Sequence, residues 1–536
     1  MKKLLVLVLS ACLLGVVSAH ADPKPKDAAV YLVGGASRSI NPPAEMIKAG
    51  NFFLGGYGLG SGRIANQAAL QTPASLDGPR TADGILGNGI STRALAVSDG
   101  QRAIVLAQIE TQGYFSAYKQ GPFGLIDIRR DATAAIERIN ENNEDAGPAI
   151  DAESILVDSN HSHGGPDTVG VWGGVPTEYL KLVHDRTVEA IVAAYRSMRP
   201  ATLSYGSVAA PDLLSNDFDK DPNNASMDND VRVFQAKDAK SGKVVATYSN
   251  FSAHPTILGG GNHKITADYT GVLSDMIAQT YGGFGFDQVA TLGRTHAGGR
   301  PGCADRTLKG PDADLCSLRG YAGVVLDRIK KAVANAEPLT GESIVDMRSY
   351  LITVPATAVS LMAGSYVGLA AGMPIMRSIA PPWTTGDLIG TSVFSGRIGD
   401  VLLTGSPGEP YPQILQKVAE TVPARGHVSI GTAGDFLGYI IGPLEAFPEP
   451  IKQTVLDDQG NPSPVASDNF AFNAGIDFGE RLTCAQLRGA GDVMAHDADV
   501  YWSTYQRCLL FPTDHALPEG ADLSAPPSPD LSSALT

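Results

Sequence analysis

Apolar residues along the chain gather in short runs bounded by glycine, proline and small polar residues. Residues 29–33, 93–97, 102–106, 154–157, 231–235, 243–248, 289–292, 400–404 and 427–430 have the length and branched side chains of strands. The turn 98–101 between the second and third of these predicts a hairpin. Elsewhere the period becomes helical. Between Gly124 and Asn142, Ile126, Ile128, Ala132, Ala135 and Ile139 fall toward one core. Leu180, Val183, Val188, Ile191 and Ala194 do the same from Thr177 to about Met198, with Pro200 just beyond the end. Further helices are expected over 272–280 and after Glu409, where Ile414, Val418 and Val422 share a side. Strands alternate with helices and no fixed-period repeat appears, which predicts an α/β chain of mixed β-sheets with flanking helices.

The two ends read differently. Met1-Lys2-Lys3, the apolar run 4–17 and Ala19-His20-Ala21 have the form of a secretory signal peptide over 1–21, cut before Asp22. Cys12 could instead mark a lipoprotein box, but the apolar run continues past it. The expected location is therefore periplasmic or secreted. No later run reaches the ~18 apolar residues of a membrane span. From about Pro512, proline, serine and alanine dominate, so 512–536 is expected to be a disordered tail and 22–511 a single domain.

Without Lys2 and Lys3 the formal charge of −15 becomes −17. That argues against a nucleic-acid partner and weakens attraction to anionic lipid, while leaving transient membrane-surface contact with a neutral amphiphile open. Sixty glycines and 35 prolines suggest many ordered loops. Beyond the leader, Cys303, Cys316, Cys484 and Cys508 are an even set in an oxidising compartment. Short-range pairing, 303–316 and 484–508, is the simplest of three connectivities, and no Cys-x-x-Cys spacing suggests a thiolate zinc site.

Ligand-type residues lie at strand ends beside glycine or proline. His161-Ser-His163 follows the run 154–157 and precedes Gly164-Gly165-Pro166; in extended backbone, residues i and i+2 face the same way. His254, Glu409 and Tyr439 occupy similar positions far along the chain. Two imidazoles and a carboxylate suit Zn²⁺, and three protein ligands plus a water make a hydrolytic centre. Each has a structural alternative: a turn histidine bonded to backbone, a helix N-terminal acid for Glu409, a core tyrosine for Tyr439.

These blocks carry a resemblance. His161-Ser-His163-Gly-Gly-Pro166, Asn250-Phe-Ser-Ala-His254-Pro with Ile265-Thr-Ala-Asp-Tyr-Thr-Gly271, Pro407-Gly-Glu409-Pro and Gly434-Asp-Phe-Leu-Gly-Tyr439-Ile stand in the order found in neutral/alkaline, non-lysosomal ceramidases. The opening, 34–43 and then Leu54-Gly-Gly-Tyr57-Gly, is also similar, and the likeness spans roughly 29–445. It implies a ceramidase-like N-terminal catalytic domain that hydrolyses the N-acyl amide of ceramide-type lipids to sphingoid base and fatty acid. It also implies zinc on His161, His254, Glu409 and Tyr439, with His163 bonding the substrate carbonyl and Tyr439 aiding it.

Three departures accompany the likeness. Where the family has a serine, Gly293-Arg-Thr-His-Ala297 places Thr295 or His296, which favours a metal-activated water over a covalent intermediate. Asn216 is followed by Asp217 and not by the family's basic residue. The stretch after Tyr439 is short for an immunoglobulin-like C-terminal domain, and none is clear. A zinc hydrolase of another amide or ester, or a non-catalytic metal- or lipid-binding protein on the same scaffold, is the alternative. Oligomeric state and proton acceptor are left open.

Overall fold

The computed structural model describes residues 28–57, 79–118, 120–142, 147–216, 227–293, 295–299, 301–355, 376–377, 388–442, 474–475 and 477–510. The expected leader and tail, and Arg294 and Arg300 beside the altered turn, lie outside the described residues.

The larger sheet contains β1 (Val30–Ser39), β2 (Ser91–Ser98), β3 (Ala103–Ile109), β4 (Ile155–Ser159), β5 (Arg199–Ala209), β6 (Asp230–Asp238), β7 (Val244–Phe251) and β8 (Phe284–Val289). Their order is β8-β7-β6-β5-β1-β2-β3-β4, with Glu337–Pro338 added on β5. Central neighbours are antiparallel, whereas the outermost pairs, β3–β4 and β7–β8, are parallel. Parallel neighbours need a crossover; helices α1 (Leu125–Glu141) and, after α2 (Thr177–Arg196), α3 (Asp268–Tyr281) supply one for each pair. A second sheet joins β9 (Val345–Pro355), β10 (Leu388–Ile398), β11 (Val401–Gly405) and β12 (Gly426–Ile430). Its pair β11–β12 is also parallel, and α5 (Pro412–Thr421) crosses between them, following α4 (Pro311–Ala334) in the chain.

Side-chain alternation assigns the layers. In β2, Ala94 and Ala96 join the core beneath α1 and α2, while Leu95 and Val97 point to the core between the sheets. In β6, Val231 and Val233 face the core of α3 and α4, and Phe234 and Ala236 face the second sheet. A final helix, α6 (Phe478–Ala495), packs on β9 and β10. The result is helices, sheet, sheet and helix in four layers, the mixed α/β architecture expected from the pattern. Strands covered on both faces carry apolar residues at nearly every position, which is why they read as unbroken runs.

The larger sheet curls until its two edges meet. Gln288 at the end of β8 donates to Asp158 on β4 across 2.6 Å, and Gln108 on β3 donates to the other oxygen of Asp158 at 2.9 Å. Burial pushes the Asp158 carboxyl well above its usual range, and the two amide donors oppose the shift. The chain leaving β12 closes the seam: Gly431 donates to Val289 and Gly434 to Val157.

Several details differ from expectation. The short strand placed at 289–292 is instead Phe284–Val289, paired in parallel with Ala246–Phe251. On α1, Ile136 is fully buried, while Ala135 and Ile139 are only half-buried. β5, which begins Arg199-Pro200, and the strands β9 and β10 were not anticipated, nor were α4 and α6. Both short-range disulfides, Cys303–Cys316 and Cys484–Cys508, are present.

Candidate metal centre

The parallel pairs β3–β4, β7–β8 and β11–β12 end close together, and the loops leaving those ends carry the candidate ligands. Beyond β4, Asn160 donates to the Ala267 carbonyl and the Thr270 hydroxyl, and the Ser162 hydroxyl to the Thr266 carbonyl. His161, between them, takes a left-handed backbone with φ of 59°. Beyond β7, Tyr269 donates to the Ala253 carbonyl and fixes the approach to His254. Beyond β11, the two-residue strand Glu409–Pro410 runs parallel to Tyr439–Ile440, with Glu409 directly opposite Tyr439. The four blocks thus come together from distant parts of the chain.

Ligand-type atoms of His161, His163 and His254 all lie within 4.8 Å of one another. The Glu409 Oε2 is 3.0 Å from His254 Nε2 and 3.4 Å from His161 Nε2. These two histidines and Glu409 are buried. The Nδ1 of His161 donates to the Gln112 carbonyl at 2.7 Å, and that of His254 to the Thr295 carbonyl at 2.7 Å. A carbonyl can only accept, so in the neutral rings each Nε2 is a bare lone pair aimed at Glu409. Burial opposes the Glu409 charge; only when protonated do His161 and His254 outweigh it and hold the carboxyl below its usual range. Two bare nitrogens facing a carboxylate repel unless a cation or protons lie between them. This donor set fits a divalent zinc-type ion, with Gln112 and Thr295 as the outer partners that orient the rings.

His163 Nε2 is 3.1 Å from His161 Nε2, and its Nδ1 is buried with no hydrogen-bond partner. Burial, followed by the neighbouring charges of His161 and His254, pushes its pKa well below the ordinary value, leaving it neutral. Tyr57 packs edge-on against its ring at 4.8 Å. Gly56, at φ 87°, would place a Cβ 2.3 Å from that ring, so glycine is required there. The His163 carbonyl accepts from Arg80 at 2.6 Å, and Arg80 also donates to the carbonyls of Gly55 and Asn262. Burial lowers the Arg80 pKa to about 10, still charged at neutral pH.

At the altered turn, the Thr295 hydroxyl is spent on the carbonyls of Ser252 and Thr291 at 2.8 and 3.0 Å. Thr295 therefore meets the centre through its main chain, not as an exposed hydroxyl. His296 stacks on His254 with ring centroids 4.8 Å apart. Phe436 stacks on His161 at 5.4 Å. Sequence reasoning missed Gln112, Arg80, Phe436 and Thr432. Gln112 acts through its backbone carbonyl and Arg80 and Thr432 act on carbonyls of other residues, which any residue type offers.

No protein-family model and no curated protein matches the chain. The chain is a mixed α/β protein with a buried histidine–carboxylate cluster, and its fold is similar to that of neutral ceramidases. Among solved structures, the neutral ceramidase from Pseudomonas aeruginosa aligns with a TM-score of 0.53 at 17% identity, over 85% of this chain and 75% of that one. A ceramidase complexed with C2 aligns with a TM-score of 0.56 at 16% identity, over 93% of this chain and 78% of that one. The likeness drawn from the sequence blocks is borne out at the level of the fold. Among the described residues, no helix is long and apolar enough to cross a membrane.

Proposed function

We propose that this protein is an exported, zinc-dependent amidohydrolase that releases fatty acid from ceramide-type N-acyl lipids. One observation carries the reading: the imidazoles of His161 and His254 and the carboxylate of Glu409 converge with both Nδ1 atoms committed to backbone. Those three residues would hold the ion, with Tyr439, opposite Glu409 in register, as the fourth protein ligand. A zinc ion there supplies Lewis acidity toward a carbonyl and lowers the pKa of water. The protein's own groups do the rest. His163, neutral and beside His161, can donate from Nε2 to the substrate carbonyl oxygen as it gains charge. Tyr439 would share in that stabilisation. Thr295 holds the His254 tautomer, and His296 walls the reaction space beside it. The residues 22–511 would act as one catalytic domain. Two disulfides agree with an oxidising compartment.

Purified protein incubated with N-acylsphingosine tests this. Fatty acid release that stops with a chelator and returns with zinc is the expected outcome, and His254→Ala should lower it by roughly 100-fold or more. Release unaffected by both treatments would overturn the reading. Turnover of other amides or esters alone would keep the zinc hydrolase and replace the substrate. The buried Thr295 hydroxyl favours a route without a covalent intermediate at this position.

A further inference from the structure

Thr432 stands between the two halves of the centre. Its φ is 51°, a left-handed backbone conformation that a β-branched residue rarely adopts. Its hydroxyl donates to the Ser159 carbonyl at 2.5 Å and also lies 2.8 Å from the Gly431 carbonyl. The Ser159 amide donates back to the Thr432 carbonyl at 3.3 Å, and the Thr432 amide donates to the Gly408 carbonyl at 2.6 Å. Ser159 ends the strand that delivers His161, and Gly408 immediately precedes Glu409. One fully buried residue thereby ties the imidazole loop to the carboxylate loop.

The left-handed turn is what permits this. On its two sides, Gly431 donates to Val289 on one edge of the larger sheet and Gly434 to Val157 on the other, while Ala433 donates to Ser406. Four consecutive amides reach three different segments, the ends of β8 and β4 and the 406–408 loop, with the left-handed turn at Thr432 between them. Glycine would meet that demand without strain. Threonine adds a methyl and a hydroxyl, and the hydroxyl goes to Ser159.

Resting on the zinc reading above, we propose that Thr432 is a positioning residue: its side-chain bond to Ser159 sets the separation of His161 and Glu409, and through it the affinity for the ion. Nothing in the resemblance assigns a role to this position. Three variants of the full chain separate the hydroxyl from the backbone. Thr432→Ser keeps the hydroxyl, Thr432→Val keeps the branch without it, and Thr432→Gly keeps only the backbone freedom.

Zinc dissociation constants come from competition with a chromophoric chelator, and Co²⁺ absorption reports the geometry of the donors. Thr432→Gly and Thr432→Val are expected to bind zinc roughly tenfold or more weakly, the range for partners that orient ligands, with altered Co²⁺ spectra. Thr432→Ser is expected to match the parent. Metal-free Thr432→Gly is expected to melt no lower than the parent, so weaker binding there is not a folding defect. Equal zinc affinity in parent and Thr432→Gly would overturn the proposal, as would a Thr432→Ser defect as large as that of Thr432→Val. A parent protein that takes up no zinc would overturn the metal reading itself, and this inference with it.

Discussion

Glu409 faces a contradiction that only a cation or protons resolve: a buried carboxylate oxygen lies 3.0 Å from one imidazole nitrogen and 3.4 Å from another, and both are turned to it by bonds made on the far sides of their rings. The local backbone is strained as well. His161, Asp268 and Thr432 adopt positive φ around the site, at ~1–3 kcal/mol each, and such strain persists only where surroundings over-determine it. Glu409→Gln tests the argument with little change of shape. The amide can donate to His254 Nε2, so the metal-free variant should be as stable as the parent or more stable, while zinc affinity should fall by roughly 100-fold or more. Isothermal titration with zinc and thermal melts in chelator measure the two effects; stoichiometric, tight zinc in the variant would remove Glu409 from the centre. At this scale the sequence was legible where the side chain itself is the candidate ligand, as with His161, His254 and Glu409, which converge. Gln112 and Thr295 contribute a main-chain oxygen, so their identity carries no trace of the role. Arg80, which donates to three carbonyls, could equally have been a surface arginine.

The elements explain why residues so far apart meet. In α/β sheets, ligands gather beyond the carboxyl ends of parallel strands, and here β4, β7 and β11 each belong to a parallel pair at an edge. The runs that became these strands were readable because burial on both faces fills them with apolar residues. β5 was not, since Arg199 and Pro200 are exposed at its start and proline argues against a central strand. α6 was hidden by its glycines, of which Gly489 lies against Tyr350 of β9 and Ser395 of β10. Curling of the larger sheet depends on long-range side-chain bonds, which no local pattern encodes. Its buried acids make stability depend on pH. Asp287 on β8 accepts from Ser249 at 2.6 Å, and burial raises its pKa to about 8. In the unfolded chain an aspartate titrates near ~3.9, so between about pH 4 and 8 the folded state holds the extra proton. Stability from this group is full below the unfolded value and is lost as pH rises through the folded one. Asp287→Asn should abolish that loss. Urea unfolding should find the variant's advantage growing by about 1 kcal/mol per pH unit between pH 5 and 8; a pH-independent difference would mean that Asp287 is ionised throughout.

For the whole molecule, the question is whether a bound ion would build the centre or find it built. The described residues favour the second. His161, His254 and Glu409 project from loops whose amides and carbonyls are bonded to neighbouring segments: Glu409 to Gly438, Thr432 to Gly408, His163 to Pro255. Beneath them lie two packed sheets with helices outside, a core far larger than any that one ion would be needed to hold together. The Cys484–Cys508 bridge secures α6 against the segment that follows it. Small metal domains unfold on chelation because their folding energy is binding energy; this architecture should not. Stripping zinc with a chelator is expected to leave the far-ultraviolet circular dichroism unchanged at 25 °C. Zinc should nevertheless raise the melting temperature, because an ion that binds only the folded state stabilises it by ~4 kcal/mol at a thousandfold excess over its dissociation constant. Replacing His161 with alanine should erase that increment and leave the metal-free melt nearly where it was. If chelation instead collapses the secondary structure, the ion is part of the folding nucleus of this sheet pair, and the preorganised site described above does not exist without it.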